Sequence, residues 1–161
     1  MKRIRLLVAD DSQAILDAYA AVLGDVDSYR AALGDFSRTG EGDPSQASGP
    51  DGIDVVGVSS GEQSVAAVQC SLASCSPFAA AILDYRMPPG ITGVEAAARI
   101  RALDPLIRII LISGVADIEP EEMVALVPPA DLVSYMRKPV RPVELLRHVG
   151  RILGFGECVG R

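Results

Sequence analysis

The sequence has few aromatic residues. It contains no tryptophan, and phenylalanine, tryptophan and tyrosine together make up 4% of its 161 residues. Proteins that stack the bases of single-stranded nucleic acid need exposed aromatic side chains, so this kind of binding is not expected. The net charge of -6 also disfavours binding to a phosphate backbone. No apolar run in the sequence approaches the roughly 20 residues that span a bilayer.

Cysteine and histidine are also scarce. The three cysteines, Cys70, Cys75 and Cys158, have spacings that fit no zinc module. With His148 as the single histidine, a metal site built from cysteine and histidine is not expected. Reduced thiols in a cytosolic protein are the default interpretation. His148 is predicted at a solvated position on the last helix.

The basic N-terminus leads into a short apolar run that two acids follow, which is typical of a strand and not of a signal peptide. Similar short runs recur and alternate with helical patterns. The predicted strands are 4–9, 53–58, 78–83, 107–112 and 132–136. The predicted helices follow Ser12 and then cover 62–73, 93–103, 119–127 and a last segment from about 141 to 153. Each connection is too long for a hairpin, so the sequence predicts one doubly wound α/β domain with a parallel sheet.

Helical spacing also predicts which residues pack inward. Ser12 is expected to cap the first helix. The expected inner faces of the third and fifth helices are Val94, Ala97, Ala98 and Ile100, and Val143, Leu146, Val149 and Leu153, respectively.

Two segments do not follow the alternating pattern. Residues 24–52 form a long insertion after the first helix; 28–33 could be a short helix or extend the first one, and the rest is rich in Gly, Ser, Pro and Asp. A loop this long is either functional or disordered, and its few apolar residues favour a loop with partial or no order. Residues 154–161 are too short to fold and are interpreted as a tail or the stub of a linker.

Polar groups that can carry chemistry follow the predicted strands. The first strand is followed by Asp10 and Asp11, the third by Asp84, the fourth by Ser113 and the fifth by Lys138. The carboxyl ends of parallel strands meet at one edge of the sheet, where ligands bind. Asp84 is the candidate reacting group. On its own stretch, a simple role in starting a turn is equally compatible with the sequence.

The five groups together predict phosphoryl chemistry. Three carboxylates in one cleft repel each other, which favours a cation or raised pKa values. Mg²⁺ prefers oxygen ligands of this kind. Lys138 and Ser113 supply an ammonium group and a hydroxyl that can stabilise a transferring phosphoryl group. Asp84 would then be the nucleophile and form an acyl phosphate.

These motifs resemble the receiver domain of two-component response regulators. The resemblance rests on Asp10-Asp11, Asp84-x-x-Met87-Pro88, Ser113-Gly114 and Lys138-Pro139, in this order at successive strand ends. It covers about residues 3–153 apart from the insertion. It implies a flavodoxin-like sheet with the strand order 2-1-3-4-5 and a receiver domain spanning residues 1–153.

The resemblance also implies the role of each residue near the metal. Asp84 matches the phosphoacceptor, and Asp11 matches the residue that binds Mg²⁺ directly. Asp10 matches the acid that holds the ion largely through water. Arg86 would give its backbone carbonyl to the metal. Mn²⁺ could replace Mg²⁺.

Further residues are implied to sense the phosphoryl group. Ser113 and Lys138 match the sensing pair, and the family implies a cis bond between Lys138 and Pro139. Tyr135 matches the aromatic switch that turns inward after phosphorylation. The alternative for Tyr135 is an ordinary core or edge aromatic of the fifth strand.

Receivers of this kind are cytoplasmic bacterial phosphoproteins that accept a phosphoryl group from a histidine kinase or a histidine phosphotransfer protein. They are not enzymes beyond self-catalysed phosphoryl acceptance and slow autodephosphorylation. The resemblance therefore implies signalling by a conformational change, with a homodimer through the face of helix four, strand five and helix five as an option. It implies no contact with nucleic acid or a membrane.

The sequence departs from ordinary receivers in the insertion and in the loop from Met87 to Gly93, which is longer than usual. The chain could also be a receiver module of a larger hybrid kinase or multidomain regulator. A haloacid-dehalogenase-type phosphohydrolase would place its nucleophile after the first strand with another acid two residues later. Asp10-Asp11-Ser12 does not fit that pattern. A degenerate receiver that only binds partners is disfavoured because the full set of polar residues is present.

Overall fold

In the part of the chain that the structure describes, five short strands form one parallel sheet. The computed structural model of the chain describes residues 3–25, 27–28, 52–114 and 118–154. Its strands are β1 (Arg3–Ala9), β2 (Gly52–Val58), β3 (Ala80–Asp84), β4 (Arg108–Ser113) and β5 (Val133–Arg137). They lie in the order β2-β1-β3-β4-β5, and every neighbouring pair is parallel. The predicted fold class and strand order are confirmed.

Helices connect the strands. They are α1 (Gln13–Leu23), α2 (Gly61–Ala73), α3 (Gly93–Leu103), α4 (Pro120–Ala125) and α5 (Pro142–Ile152), with a 3₁₀ turn at Ala130–Leu132 before β5. Residues 29–33 of the predicted helix at 28–33, most of the predicted insertion and the tail beyond Gly154 lie outside the described residues.

Two apolar clusters cover the two faces of the sheet. Alternate residues of each central strand enter opposite clusters, as in Leu6 and Leu7 of β1. One cluster includes residues of α1 and α5, and the other includes residues of α2, α3 and α4. All five residues of β3 are buried. The central strands are therefore covered on both sides, which explains why they appear in the sequence as continuous apolar runs.

The predicted inner faces of two helices need correction. In α3, Ala98 is exposed and Ala96 is buried instead, because Ala98 lies roughly 120° around the helix from the centre of the buried face. In α5, Val143 is 48% exposed, whereas Leu145 is fully buried. Val143 lies about 90° from the centre of that buried face.

The order of the strands determines where a site can form. The chain goes from β1 outward to β2 and then returns to β3 on the other side of β1. The strand order reverses between β1 and β3. The helix that follows β1 and the helix that follows β3 lie on opposite faces of the sheet, so a crevice opens beyond the carboxyl ends of these two strands. Asp10 and Asp84 lie at these two strand ends.

The turn after α2 contains a residue in a conformation that L-residues avoid. Cys75 has a φ angle of 54°. Its N–H donates to the carbonyl oxygen of Leu72 at 3.1 Å, and the N–H of Ser76 donates to that of Ser71 at 2.9 Å. Helices usually end in this way with glycine at the left-handed position, because a Cβ atom is strained there.

We expect Cys75→Gly to stabilise the protein. The substitution should raise the free energy of unfolding by about 0.5–1 kcal/mol, since relief of the left-handed strain exceeds the extra backbone entropy of glycine. Urea denaturation measures the change. Cys70→Gly is the matched control because Cys70 is exposed within α2, where glycine should lower the stability by about 0.3 kcal/mol. Equal losses in both variants would contradict strain at Cys75.

Candidate functional site

The residues predicted to carry the chemistry meet at the carboxyl edge of the sheet. Asp10 follows β1, Asp84 is the last residue of β3, Ser113 is the last residue of β4, and Lys138 follows β5. The strand register aligns Asp84 with Ile112 and Ser113 with Arg137. The parallel arrangement therefore brings groups from distant parts of the sequence to one edge.

The end of β1 supplies two carboxylates with different surroundings. Asp10 is 3% exposed, and its N–H donates to the carbonyl oxygen of Val58 at 3.1 Å. One of its carboxylate oxygens accepts the N–H of Ser12 at 2.9 Å. Asp11 is exposed. The backbone therefore fixes the orientation of Asp10, while Asp11 faces solvent.

The predicted capping role of Ser12 is wrong in its detail. Ser12 occupies the N-cap position of α1, but its side chain makes no capping hydrogen bond. The carboxylate of Asp10 instead closes a turn onto the backbone of Ser12, as Asp side chains often do two residues ahead.

The start of α3 fixes the backbone at the end of β3. Asp84 is 6% exposed. A Cβ atom on Gly93 would lie 2.2 Å from the carbonyl oxygen of Asp84, so only glycine permits this approach. The N–H of Gly93 donates to the carbonyl oxygen of Tyr85 at 2.9 Å. The start of α3 thus packs directly on the backbone of the candidate nucleophile.

Lys138 connects the acids across the crevice. Its Nζ lies 3.1 Å from Oδ1 of Asp84 and 3.4 Å from Oδ2 of Asp10. The N–H of Lys138 donates to the carbonyl oxygen of Ser113 at 2.9 Å, which places the lysine beside β4. The Lys138–Pro139 peptide bond is cis, as predicted. Ser113 itself is 1% exposed.

The three acids are close enough to share a cation. Asp10, Asp11 and Asp84 each offer a carboxylate oxygen, and these oxygens lie within 4.8 Å of one another. Hard oxygen donors are the ligands that Mg²⁺ takes in proteins, so the donor set fits this ion. Arg86, two residues after Asp84, is exposed; a role for its carbonyl in metal binding stays a prediction.

Burial and the mutual charges shift the pKa values of two groups at the site. Burial raises the pKa of Asp84, and the hydrogen bond and charge of Lys138 only partly offset this effect. Burial alone would lower the pKa of Lys138, but the hydrogen bond and charge of Asp84 and the charge of Asp10 raise it above its ordinary value. The ammonium group is therefore retained wherever the acids are ionised.

Tyr19 on α1 is a neighbour of the site. It is 5% exposed on α1. Burial raises the pKa of its hydroxyl, and the charges of Lys138, Asp10 and Asp84 also act on it. Tyr19 recurs at helical spacing with the apolar residues Leu16 and Leu23, a pattern typical of core, and nothing in the sequence indicated that its hydroxyl lies near these charges.

Tyr135 and His148 lie on the last strand and helix. Tyr135 is partly buried and packs against the cluster that includes α3 and α4. The predicted solvated position of His148 is wrong, because it is half-buried and its Nε2 lies 2.7 Å from the hydroxyl of Ser134. Burial and the charge of Arg151 lower the pKa of His148.

Comparison with known proteins gives matches only among solved structures. No protein-family model matches the sequence, and no curated protein matches it. The structure is similar to a CheY-like response regulator receiver domain protein from Methanospirillum hungatei, with a TM-score of 0.66 and 23% identity over 99% of this chain and 100% of that one. A response regulator receiver protein from Sinorhizobium medicae gives a TM-score of 0.60 and 23% identity over 96% and 98%.

A third similar structure contains ligands. It is a CheX–CheY–BeF₃–Mg²⁺ complex from Borrelia burgdorferi, with a TM-score of 0.65 and 15% identity over 92% of this chain and 88% of that one. At these identities the likeness shows the fold. The chain has the flavodoxin-like fold of response regulator receivers, and the predicted resemblance is confirmed at this level. None of the helices in the described part of the chain has the length and apolar character needed to cross a membrane.

We expect Asp84→Asn to stabilise the protein at neutral pH. Because the pKa of Asp84 is higher in the folded protein than in the unfolded chain, the folded protein binds more protons, and stability is lost as the pH rises through the folded pKa. Asparagine does not ionise, so the variant does not lose this stability as the pH rises. The free energy of unfolding should increase by about 1 kcal/mol, or roughly 2–4 °C in Tm, at about pH 7.

The pH dependence distinguishes this cause from a general effect of the substitution. The difference in Tm should shrink at about pH 4, and adding Mg²⁺ should reduce it at neutral pH by favouring the ionised wild type. Asp54→Asn is the control, since Asp54 is on β2 in an exposed ion pair with Arg3. A difference for Asp84→Asn that does not change with pH would contradict the assigned cause.

Proposed function

We propose that the chain is a phosphorylation-activated receiver domain that accepts a phosphoryl group on Asp84 from a histidine kinase or a histidine phosphotransfer protein. The observation that carries the proposal is the bridge from Lys138 to Asp84 and Asp10, at 3.1 and 3.4 Å. It lies at the switch point of a receiver-type sheet. Residues 1–153 would form this domain, and the chain could belong to a larger regulator.

Asp84 is the nucleophile in this proposal. A carboxylate oxygen of Asp84 attacks the phosphorus atom, and the bond from phosphorus to the leaving imidazole nitrogen breaks with its electron pair on that nitrogen. The product is an acyl phosphate on Asp84. Lys138 is positioned beside the attacked carboxylate, so its charge can stabilise the negative charge that passes to the phosphoryl oxygens.

The other two acids would hold the metal. Asp11, Asp10 and Asp84, with the backbone carbonyl of Arg86, would bind Mg²⁺ or Mn²⁺. Bound there, the ion supplies positive charge against both the acids and the phosphoryl oxygens. The acids fit this role because three oxygens lie within 4.8 Å of one another. The Borrelia burgdorferi complex, which contains Mg²⁺ and BeF₃, supports the same chemistry for this fold.

The signal would leave the site through β4 and β5. Ser113 is buried at the end of β4, and its hydroxyl would donate to the phosphoryl group. Tyr135 on β5 packs partly against the core and would respond to the shift of Ser113. The change would reach α4, a helix of six residues whose position depends on packing, because so short a helix has little stability of its own.

Contact with partners would use the same region. Leu126 at the end of α4 is 55% exposed and Val143 on α5 is 48% exposed, so the helices that precede and follow β5 in the chain each present an apolar side chain to solvent. These exposed apolar side chains support a protein–protein contact on the face formed by α4, β5 and α5, including a homodimer. The phosphoryl donor would approach the carboxyl edge of the sheet, where Asp11 is exposed. The chain would act in the cytoplasm, without an enzymatic output of its own.

The test of phosphoryl acceptance uses acetyl phosphate with Mg²⁺. We expect the wild type to gain the mass of one phosphoryl group, and we expect hydroxylamine to remove it because the bond is an acyl phosphate. Asp84→Asn should lose this modification. Asp54→Asn, which removes an exposed acid from β2, is the control and should react like the wild type.

A second outcome would end the assignment of Asp84. If the Asp84→Asn variant still gained a hydroxylamine-sensitive phosphoryl group at the wild-type rate, another carboxylate would be the acceptor. If the wild type gained none with acetyl phosphate or with any histidine phosphotransfer protein, the proposed function would be wrong.

Beryllofluoride tests the switch. With Mg²⁺, we expect it to change amide hydrogen exchange mainly in 113–127 and 132–136, because these segments contain Ser113, α4 and Tyr135. Ser113→Ala should suppress the change and leave phosphorylation of Asp84 intact. Exchange that changes only in residues 24–52 would contradict this path and the role of Tyr135.

A further inference from the structure

The segment between β3 and α3 is fixed by backbone hydrogen bonds at its two ends. At its start, the N–H of Tyr85 donates to the carbonyl oxygen of Ile112 at 2.7 Å. At its end, the N–H of Gly93 donates back to Tyr85 at 2.9 Å. Met87 is buried at 1% exposure. Residues 85–93 therefore form a closed loop that contains Arg86, the candidate carbonyl ligand of the metal.

A side chain from another helix holds the later part of this loop. Residues 88–90 are exposed, and the next residue, Ile91, donates its N–H to Oε1 of Glu62 at 3.0 Å. Glu62 is in the first turn of α2. Its neighbour Gly61 also touches Ile91, because a Cβ atom there would lie 2.6 Å from Cγ1 of Ile91. The start of α2 thus supports the loop that follows Asp84.

We propose that Glu62 is a positioning residue for phosphoryl acceptance, because its carboxylate fixes the loop that carries Arg86 beside Asp84. The inference rests on the function proposed for Asp84. Glu62 touches neither the phosphoryl group nor the metal; it acts by keeping the loop in one arrangement. Its hydrogen bonds to backbone N–H groups, first its own and then that of Ile91, hold the pKa of Glu62 below its usual range. The carboxylate therefore stays ionised at neutral pH.

Gly90 makes the contact open to a sharp test. A Cβ atom on Gly90 would lie 2.2 Å from Oε2 and 2.5 Å from Oε1 of Glu62. The obstructing atoms are at the end of a flexible side chain, so Gly90→Ala should displace the Glu62 carboxylate without disturbing the backbone. A Cβ on Gly93, in contrast, would meet the carbonyl of Asp84, which cannot move away. Gly90→Ala is therefore a selective way to release the loop.

The experiment compares four variants of the full chain: Glu62→Ala, Glu62→Gln, Gly90→Ala and the double variant Glu62→Ala/Gly90→Ala. Glu121→Ala is the control, since Glu121 is an exposed acid in the first turn of another helix, α4. Three quantities are measured: amide hydrogen exchange at Ile91 without metal, the Kd for Mg²⁺, and the initial rate of phosphorylation by acetyl phosphate. Thermal denaturation confirms that each variant is folded.

Glu62→Ala should speed exchange at Ile91 about tenfold, in line with the loss of one charge-assisted hydrogen bond. It should weaken Mg²⁺ binding and slow phosphorylation about fivefold, somewhat less than is typical for residues that contact metal ligands directly. Glu62→Gln keeps an oxygen acceptor for the N–H of Ile91. It should therefore recover most of the Mg²⁺ affinity and most of the phosphorylation rate. Gly90→Ala should resemble Glu62→Ala, and the double variant should be no worse than either single variant.

The outcomes separate this inference from the proposed function. If the wild type reacts and Glu62→Ala reacts at the same rate with the same Mg²⁺ affinity, Glu62 does not position the site and Asp84 keeps its role. Additive losses in the double variant would also overturn the inference, because the two residues would then act independently. A wild type that neither binds Mg²⁺ nor accepts a phosphoryl group would refute both, even if exchange at Ile91 still depended on Glu62.

Discussion

The ion pair of Lys138 with Asp84 and Asp10 is the interaction on which the carboxyl edge of the sheet depends. Two acids that are 6% and 3% exposed lie close together at adjacent strand ends. Burying such charges without a counter-charge is strongly unfavourable. Lys138 reaches both at 3.1 and 3.4 Å, yet the pKa of Asp84 stays above its ordinary value because burial outweighs this attraction. The site is thus only partly neutralised, which favours the arrival of a further cation.

The partial neutralisation of Asp84 and Asp10 by Lys138 offers a way to connect phosphorylation with a change of conformation. A phosphoryl group on Asp84 would bring new negative charge and strong acceptor oxygens, and Lys138 would be shared among more partners. Lys138 follows β5 directly, and its N–H is bonded to the carbonyl of Ser113 at the end of β4. Lys138 is therefore connected to the ends of two strands. Under the proposed function, this connection would let a local change in charge bias an element with two arrangements.

The sequence was sufficient for the sheet and for placing most of the candidate residues at one edge, because the central strands are continuous apolar runs and the candidate polar groups lie at or just after the strand ends. It was less informative where a side chain's surroundings depend on distant residues. Ala98 and Val143 have the apolar character of core residues, but the angle at which each helix packs leaves them exposed. The contact from Glu62 to Ile91 joins residues 29 positions apart, and no local pattern indicates it. The position of Tyr19 near Lys138 and Asp84 likewise depends on residues that are distant in the sequence.

The distances along the chain explain why the site is a property of the whole fold. Lys138 and Asp10 are 128 positions apart, yet their side chains are 3.4 Å apart. Asp84 comes from a strand between them, and Glu62 would add support from a fourth segment. None of these groups can meet until β1, β3, β4 and β5 are in register. The carboxylates repel each other until Lys138 arrives, so the site cannot promote its own assembly, and the free energy that gathers it must come from the two apolar clusters on either side of the sheet. The unfavourable charge at this edge is tolerated because the core beneath it is apolar and closely packed.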